Sequence, residues 1–352
     1  MMTDFVPGIE LSRAFYAEAV APLLAGVPHS AALIGPGSEV LSFDTSRSAD
    51  HDWGPRVLVF VPDGLVTAVE AEVAAGLPAR FRGLATVFDY HGEVRPGVVV
   101  AELGEWLAGQ LGFDPRRGMS LLDWLSVPWQ RLAEVTQGDV FHDGLADEPS
   151  SAGGLEAVRR ALRWYPEDVW RYVLACQWRR IAQEEPFPGR CGEVGDELGS
   201  AVEGARLARD VMRLALLLRR RYPPYAKWLG SALARMPGST ELGESLGAAL
   251  AARSWWDRQD GLSDAYTRLA ALQNRIGLAG RLDERVRGFH DRPFQVIGGD
   301  RFADALMAGV SDPVIKQLPP VGCVDQLSDS VDLLVRPGSA RTVTAAALGL
   351  TA

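Results

Sequence analysis

The sequence predicts an α+β N-terminal domain, built as a short mixed sheet flanked by helices, followed by an all-α helical domain. Two observations carry that prediction. Over the first part of the chain, short β-branched runs alternate with segments of helical period. From Met119 onward the pattern changes to long helical stretches, broken by clusters such as Pro186-Phe187-Pro188-Gly189. The length, 352 residues, exceeds what one small core needs and predicts more than one domain.

Residues 9–26 alternate as an amphipathic helix does. Ala31 to Ile34 is an apolar run entering the turn Gly35-Pro36-Gly37-Ser38, as a strand enters a tight loop. Val57 to Val61 reads as a second strand, closed by Pro62-Asp63-Gly64. Leu65 to Ala75 has helical period and stops at Gly76. Gly97 to Ala101 is a third strand, and Glu102 to Leu111 a helix. Further helices are predicted over 119–135, 153–163, 166–184, 196–221, 223–235, 240–253 and 260–277. The segment from 281 is mixed and loop-rich. The domains expected are therefore 1–118, 119–280 and 281–352, the last packing on the rest. The linker falls either in 112–120 or in 143–154, the latter having the stronger linker composition.

Composition excludes several classes. Apolar residues make up 47% and charged residues 23%, as in ordinary globular proteins. No apolar run is long enough to span a bilayer, and the first residues do not resemble a signal peptide. Cys176, Cys191 and Cys323 are scattered and odd in number, which predicts reduced thiols and a cytoplasmic protein. The formal charge of -9, without a basic tail, argues against extended nucleic acid as a partner. No catalytic triad, P-loop or Rossmann fingerprint is present.

The segment that carries chemistry runs from Leu33 to Val59. A glycine-serine turn after an apolar strand offers backbone N–H groups and a hydroxyl to a phosphate. After an eleven-residue spacer come Asp50-His51-Asp52, leading to the second strand. In extended backbone, positions i and i+2 share a face, so Asp50 and Asp52 point together and His51 away. Two carboxylates on one face repel unless a cation lies between them. Mg²⁺, a hard ion that bridges to phosphates, suits such a pair, and Mn²⁺ suits it too.

Gly37-Ser38, the spacer and Asp50-x-Asp52 together resemble the signature of the DNA polymerase β-type nucleotidyltransferase superfamily. The fuller strings GSE, DHDWGPR, RWYPEDVW, QEEPF and PPYAKW are similar to a bacterial branch known chiefly as a domain of unknown function, over most of the chain. The resemblance implies a two-domain architecture of the kanamycin nucleotidyltransferase type. It implies metal ligation by Asp50 and Asp52, triphosphate binding by Gly37 and Ser38, and an NTP as substrate. It also implies a third acid on the strand after the intervening helix, where this chain has Val99. Glu102 or Asp89 stands near enough in sequence to substitute. In the kanamycin-enzyme type the helical domain supplies a base, for which Glu184, Glu185 or Asp196 is available.

Each of these residues also has a plain structural reading. Ser38 and Asp44 suit turns and caps. Ser48 and Arg56 are either surface residues or phosphate contacts. Glu184-Glu185 suits a solvated helix end, and the aromatic series Trp164 to Trp178 suits a core. Only Lys227 and Lys316 among 36 basic residues are lysine, which favours a phosphate or carboxylate role for Lys227. The function expected is Mg²⁺-dependent transfer of a nucleoside monophosphate to a hydroxyl of a small molecule or protein. The alternative is a non-catalytic nucleotide-binding, regulatory or antitoxin-like module on the same fold.

Overall fold

Val57, Val59 and Val98 are buried and point into one core, while Leu58 and Val99, their neighbours on the two paired strands, are more exposed. The computed structural model describes residues 5–48, 53–90, 93–146 and 154–351. The chain divides into two compact units. The first comprises residues 1–120 and 131–163, the second 121–130 and 164–352.

The first unit opens with helix α1 (Gly8–Phe15). It continues into a π turn at Tyr16–Val20 and a 3-10 turn at Ala21–Leu24, where Pro22 has no N–H to give. Strand β1 (Ser30–Leu33) and strand β2 (Val57–Phe60) follow, antiparallel to one another. Helix α2 (Val66–Gly76) comes next. Two small hairpins then form from β3 (Arg80–Phe81) with β4 (Leu84–Ala85), and β5 (Val87–Tyr90) with β6 (Glu93–Pro96). Strand β7 (Val98–Ala101) runs parallel to β2, with Leu58 opposite Val99. Helix α3 (Leu103–Leu111) starts directly after it.

The chain then contributes α4 (Leu121–Ser126) to the second unit. Pro128 separates α4 from α5 (Trp129–Thr136), along which the chain passes back to the first unit. Strand β8 (Asp139–Asp143) and helix α6 (Gly154–Leu162) complete that unit. The sheet order is β7-β2-β1-β8, a small mixed sheet as expected. Leu11, Phe15, Val20 and Leu24 pack with Val57, Val59, Val69, Val73 and Val98 as one core.

Strand β8 was not among the expected elements, and with it the chain re-enters the first compact unit. The expected break at 118/119 lies beside the first crossing, but 131–163 returns to the first unit. Asp143 explains the return. Its carboxylate accepts from Ser30 Oγ on β1 at 2.5 Å, and from the N–H groups of Leu155 and Glu156 at the start of α6. One side chain thus joins an edge strand, its neighbour and a helix N-terminus, where a negative charge is favoured.

The second unit is helical as expected. It contains α7 (Glu167–Glu184), α8 (Phe187–Glu193), α9 (Glu197–Leu218), α10 (Leu229–Ala234), α11 (Thr240–Ala251) and α12 (Trp255–Ile276). A short hairpin, β9 (Arg287–Gly288) with β10 (Gln295–Val296), leads to α13 (Gly299–Ala308). The short helices α14 (Pro313–Gln317), α15 (Val324–Leu327) and α16 (Val331–Leu334) precede α17 (Pro337–Leu348). The segment 281–352 is part of this unit rather than a separate one. Its α13 packs on α7, where Trp178 stacks on Phe302 with ring centroids 4.6 Å apart. Trp170, Tyr172 and Trp178 are buried core residues, as their spacing predicts.

Replacing Asp143 with alanine removes three accepted hydrogen bonds and leaves Ser30 Oγ buried without its partner. We expect Asp143→Ala to lower stability by about 1–3 kcal/mol, read from chemical denaturation. Asp143→Asn, which keeps one acceptor, should recover part of the loss.

Candidate functional site

A cavity of about 390 Å³ lies beside the ends of β1, β2 and β7. Leu58 and Val99, partners across the parallel ladder, form part of its wall with Trp106 of α3 and Phe88 of β5. Gly37, Arg56 and Arg95 bring polar groups to it. The structure therefore gathers three of the residues singled out from sequence: Gly37, Arg56 and Val99. A concave, largely apolar wall with a few convergent polar groups is what small-molecule sites share.

The turn at the mouth is held from several sides. The N–H of Gly35 donates to Glu134 O at 2.8 Å, and that of Phe43 to Ser38 O at 2.8 Å. Glu39, buried at 2% exposure, pairs with the Arg56 guanidinium, which also donates to Pro36 O at 3.0 Å. Arg56 Nε is buried with no hydrogen-bond partner. A Cβ built on Gly37 would collide with that guanidinium and lie 2.8 Å from both Glu39 carboxylate oxygens. Gly37 has φ +153, and its lack of a side chain is what lets the ion pair close beneath the turn. Glu39 is a site residue that the Gly-Ser and Asp-x-Asp spacing does not single out. Its signal was an acid directly before the apolar pair Val40-Leu41, both buried here.

Asp50, His51 and Asp52 lie outside the described residues. Around them, Asp44 accepts from the N–H of Gly8 at 2.7 Å and from Trp53 Nε1 at 3.2 Å. It holds the start of α1 and the chain just after residue 52, which agrees with its expected loop role. Ser48 Oγ accepts from the N–H of Thr45, a local turn closure. Ser38 is half-buried in the turn.

The candidates for a third acid fare differently. Val99 is exposed by 42% and faces the cavity. Glu102 caps α3, accepting from the N–H of Glu105 at 2.8 Å, and pairs with Arg116 at 2.9 Å. Arg116 also binds Asp114. Burial works to raise the Glu102 carboxyl, but the N–H groups of Gly104 and Glu105 and the Arg116 charge bring it below its ordinary value. Glu102 is thus a paired cap, bordering a different, more polar depression with Asp114 and Arg116. Asp89 lies on β5 opposite Val94.

The remaining candidates belong to the second unit. Glu184 pairs with Arg206 at 2.7 Å, and Asp196 caps α9 through the N–H of Gly199. Lys227 is exposed, with its ammonium 4.4 Å over the Trp228 ring. Among the described residues, no group of three or more His, Cys, Asp or Glu side chains is placed to hold a metal. The metal reading rests on Asp50 and Asp52.

A family model described as a domain of unknown function (DUF4037) matches residues 124–229. That span holds Glu184, Glu185, Asp196 and Lys227 and leaves out Gly37, Ser38 and Arg56. No curated protein and no solved structure matches the chain.

Glu185 is not a solvated helix end. It is buried, and its carboxylate accepts from the N–H groups of Ile297, Gly298 and Gly299 at 2.6–3.2 Å. Both oxygens are occupied by the N-terminus of α13, which makes Glu185 an anchor for that helix. Burial pushes its carboxyl up to about 7, against the pull of the three N–H groups. A carboxyl raised on folding binds its proton more tightly in the native state. Its contribution to stability therefore falls as pH rises from its ordinary value near 4.5 through about 7. Glu185→Gln cannot titrate. The advantage of wild type over Glu185→Gln, measured as a difference in Tm, should shrink between pH 5 and pH 8. A difference independent of pH would remove the ionisation.

Proposed function

We propose that the chain is a nucleotidyltransferase, transferring a nucleoside monophosphate from an NTP to a hydroxyl of a small molecule or protein. The observation that carries this reading is the cavity beside β2 and β7 of the mixed sheet. It is lined by the Gly37 turn, by Arg56 at the head of β2, and by Val99 on the parallel strand β7. These elements flank the segment 49–52 on both sides in sequence. The antiparallel β1–β2 step with its intervening turn, followed by helix α2 and a parallel β7, supports the nucleotidyltransferase reading of the first unit.

In this reading Asp50 and Asp52 hold Mg²⁺ or Mn²⁺, which when bound neutralises charge developing on the phosphates. Arg56, shared with Glu39, and Arg95 line the cavity where a polyanionic ligand would sit, and each already has a partner within the fold. Phe88 and Trp106 offer aromatic surface to a base or acceptor ring. The acceptor hydroxyl oxygen forms a bond to the α-phosphorus, pyrophosphate leaves, and the hydroxyl proton passes to a base. Neither Glu102 nor Glu185 is free for that proton, since Arg116 and the start of α13 hold them.

One observation favours the second reading, a nucleotide-binding module without turnover. Val99 presents a methyl surface to the cavity where the family places an acid. The two readings separate on one experiment. Purified protein with Mg²⁺, each NTP and a panel of hydroxyl acceptors is assayed for pyrophosphate release, beside nucleotide binding by calorimetry. Transfer is expected in wild type and should fall by at least about 10²-fold in Asp50→Ala, as when a group acting on the transferred phosphate is lost. Binding without release would establish the module instead. Neither binding nor release would sink both.

A further inference from the structure

The second unit carries an arginine pair that the reading above does not use. Arg209 and Arg213 stand one turn apart on α9, so their side chains run side by side. Both converge on one carboxylate, that of Asp329. Arg209 Nη1 meets Oδ2 at 2.6 Å and Arg213 Nη2 meets Oδ1 at 3.0 Å, one guanidinium per oxygen. This is the grip that a phosphate or carboxylate receives from paired arginines.

The arginines are set from beneath. Asp210 is fully buried, and neither of its oxygens accepts a hydrogen bond. Three guanidinium groups surround it instead, those of Arg180 at 3.5 Å, Arg209 at 3.8 Å and Arg213 at 3.9 Å. Arg213 also lies 5.6 Å over the Trp129 ring, and its Nη1 donates to Asp325 O. Arg209 Nε is buried with no hydrogen-bond partner. The heads are therefore fixed in place before any ligand arrives, which lowers the entropic cost of binding.

What they grip is loosely mounted. Asp329 is 55% exposed and lies between two single-turn helices, α15 and α16. Solvent and dissolved ions reach a carboxylate exposed in this way and compete for its partners. Beside it a cavity of about 170 Å³ is walled by Trp129, Pro223, Pro224 and Tyr225. Pro223, Pro224 and Tyr225, from the PPYAKW string of the sequence, thus form one wall of this cavity. With Asp329 turned outward, Arg209 and Arg213 would each lose their closest carboxylate and keep Asp210 only at 3.8 and 3.9 Å.

We propose that Arg209 and Arg213 form a binding site for a compact oxyanion, a phosphate or a carboxylate group, and that Asp329 occupies it as an internal stand-in. The cavity is too small for a nucleoside triphosphate, so the site is separate from the nucleotide reading and does not depend on it. Calorimetric titration of the full chain with inorganic phosphate, and separately with succinate, tests this. Asp329→Asn removes the competing charge and should tighten one of the two anions by roughly threefold to fivefold, the yield of losing one exposed ion pair. The anion that tightens more identifies the source. Asp304→Asn is the control, since Asp304 is an exposed partner of Arg179 elsewhere. Arg209→Gln added to Asp329→Asn should abolish the gain. The proposal is overturned if Asp329→Asn tightens neither anion, if Asp304→Asn tightens them equally, or if the gain survives Arg209→Gln. Should the double variant fail to fold, the comparison of Asp329→Asn with Asp304→Asn decides alone.

Discussion

The pairing of Glu39 with Arg56 governs the geometry of the first unit's cavity. Glu39 lies on the turn that leaves β1, and Arg56 at the entry to β2, so one ion pair ties the two sides of the intervening segment together. A carboxylate at 2% exposure cannot be left alone in a protein interior. Deleting Arg56 would strand the buried Glu39 carboxylate, a loss of about 3–5 kcal/mol for a buried charge left alone. Gly37 yields its side-chain space to this pair, and the turn follows the shape that results. The glycine has a reason to be there whether or not a phosphate ever approaches it.

The same physics recurs among the acids. Glu102, Glu184, Glu185 and Asp196 all suit proton transfer by residue type. In the fold, Glu102 and Asp196 satisfy helix N-termini, Glu184 meets Arg206, and Glu185 gathers three N–H groups of α13. Helix starts leave orphan donors, and carboxylates are the strongest side-chain acceptors for them. A helix-rich chain with abundant arginine therefore consumes many of its acids in ordinary structure. Asp329 differs from these because its partners are a matched pair on one helix face beside open space.

Much of the architecture was legible because its signals are local. Strands 57–60 and 98–101 and helices 66–76 and 103–111 fell within a residue or two of their sequence patterns. The long helices 167–184 and 197–218 were equally plain from their period and their proline boundaries. Strand β8 was not legible. Asp139-Val-Phe-His-Asp143 has little alternation to announce it, and its pairing with Ser30 to Leu33 spans more than a hundred residues. Site residues divided the same way. Gly37, Arg56 and Val99 came together because strand register brings them together. The roles of Glu39, Glu102 and Glu185 depend on partners far away in sequence, and no spacing rule encodes those. Residues 49–52, which carry the strongest chemical signal in the sequence, lie outside the described part of the fold.

The interrupted first unit has a consequence for how it comes into being. The edge of β1 is covered only by β8, which the chain supplies after its excursion through α4 and the start of α5. While the protein is being synthesised, β1 and β2 can pair early, but β1 must wait with its outer N–H and C=O groups open until residue 143 emerges. Such an open strand edge is a template for pairing with another chain. Its late closure gives the unit a high contact order and slows its completion. For a molecule built this way, the interval between making β2 and making β8 is the time in which neighbouring nascent chains can exchange strands.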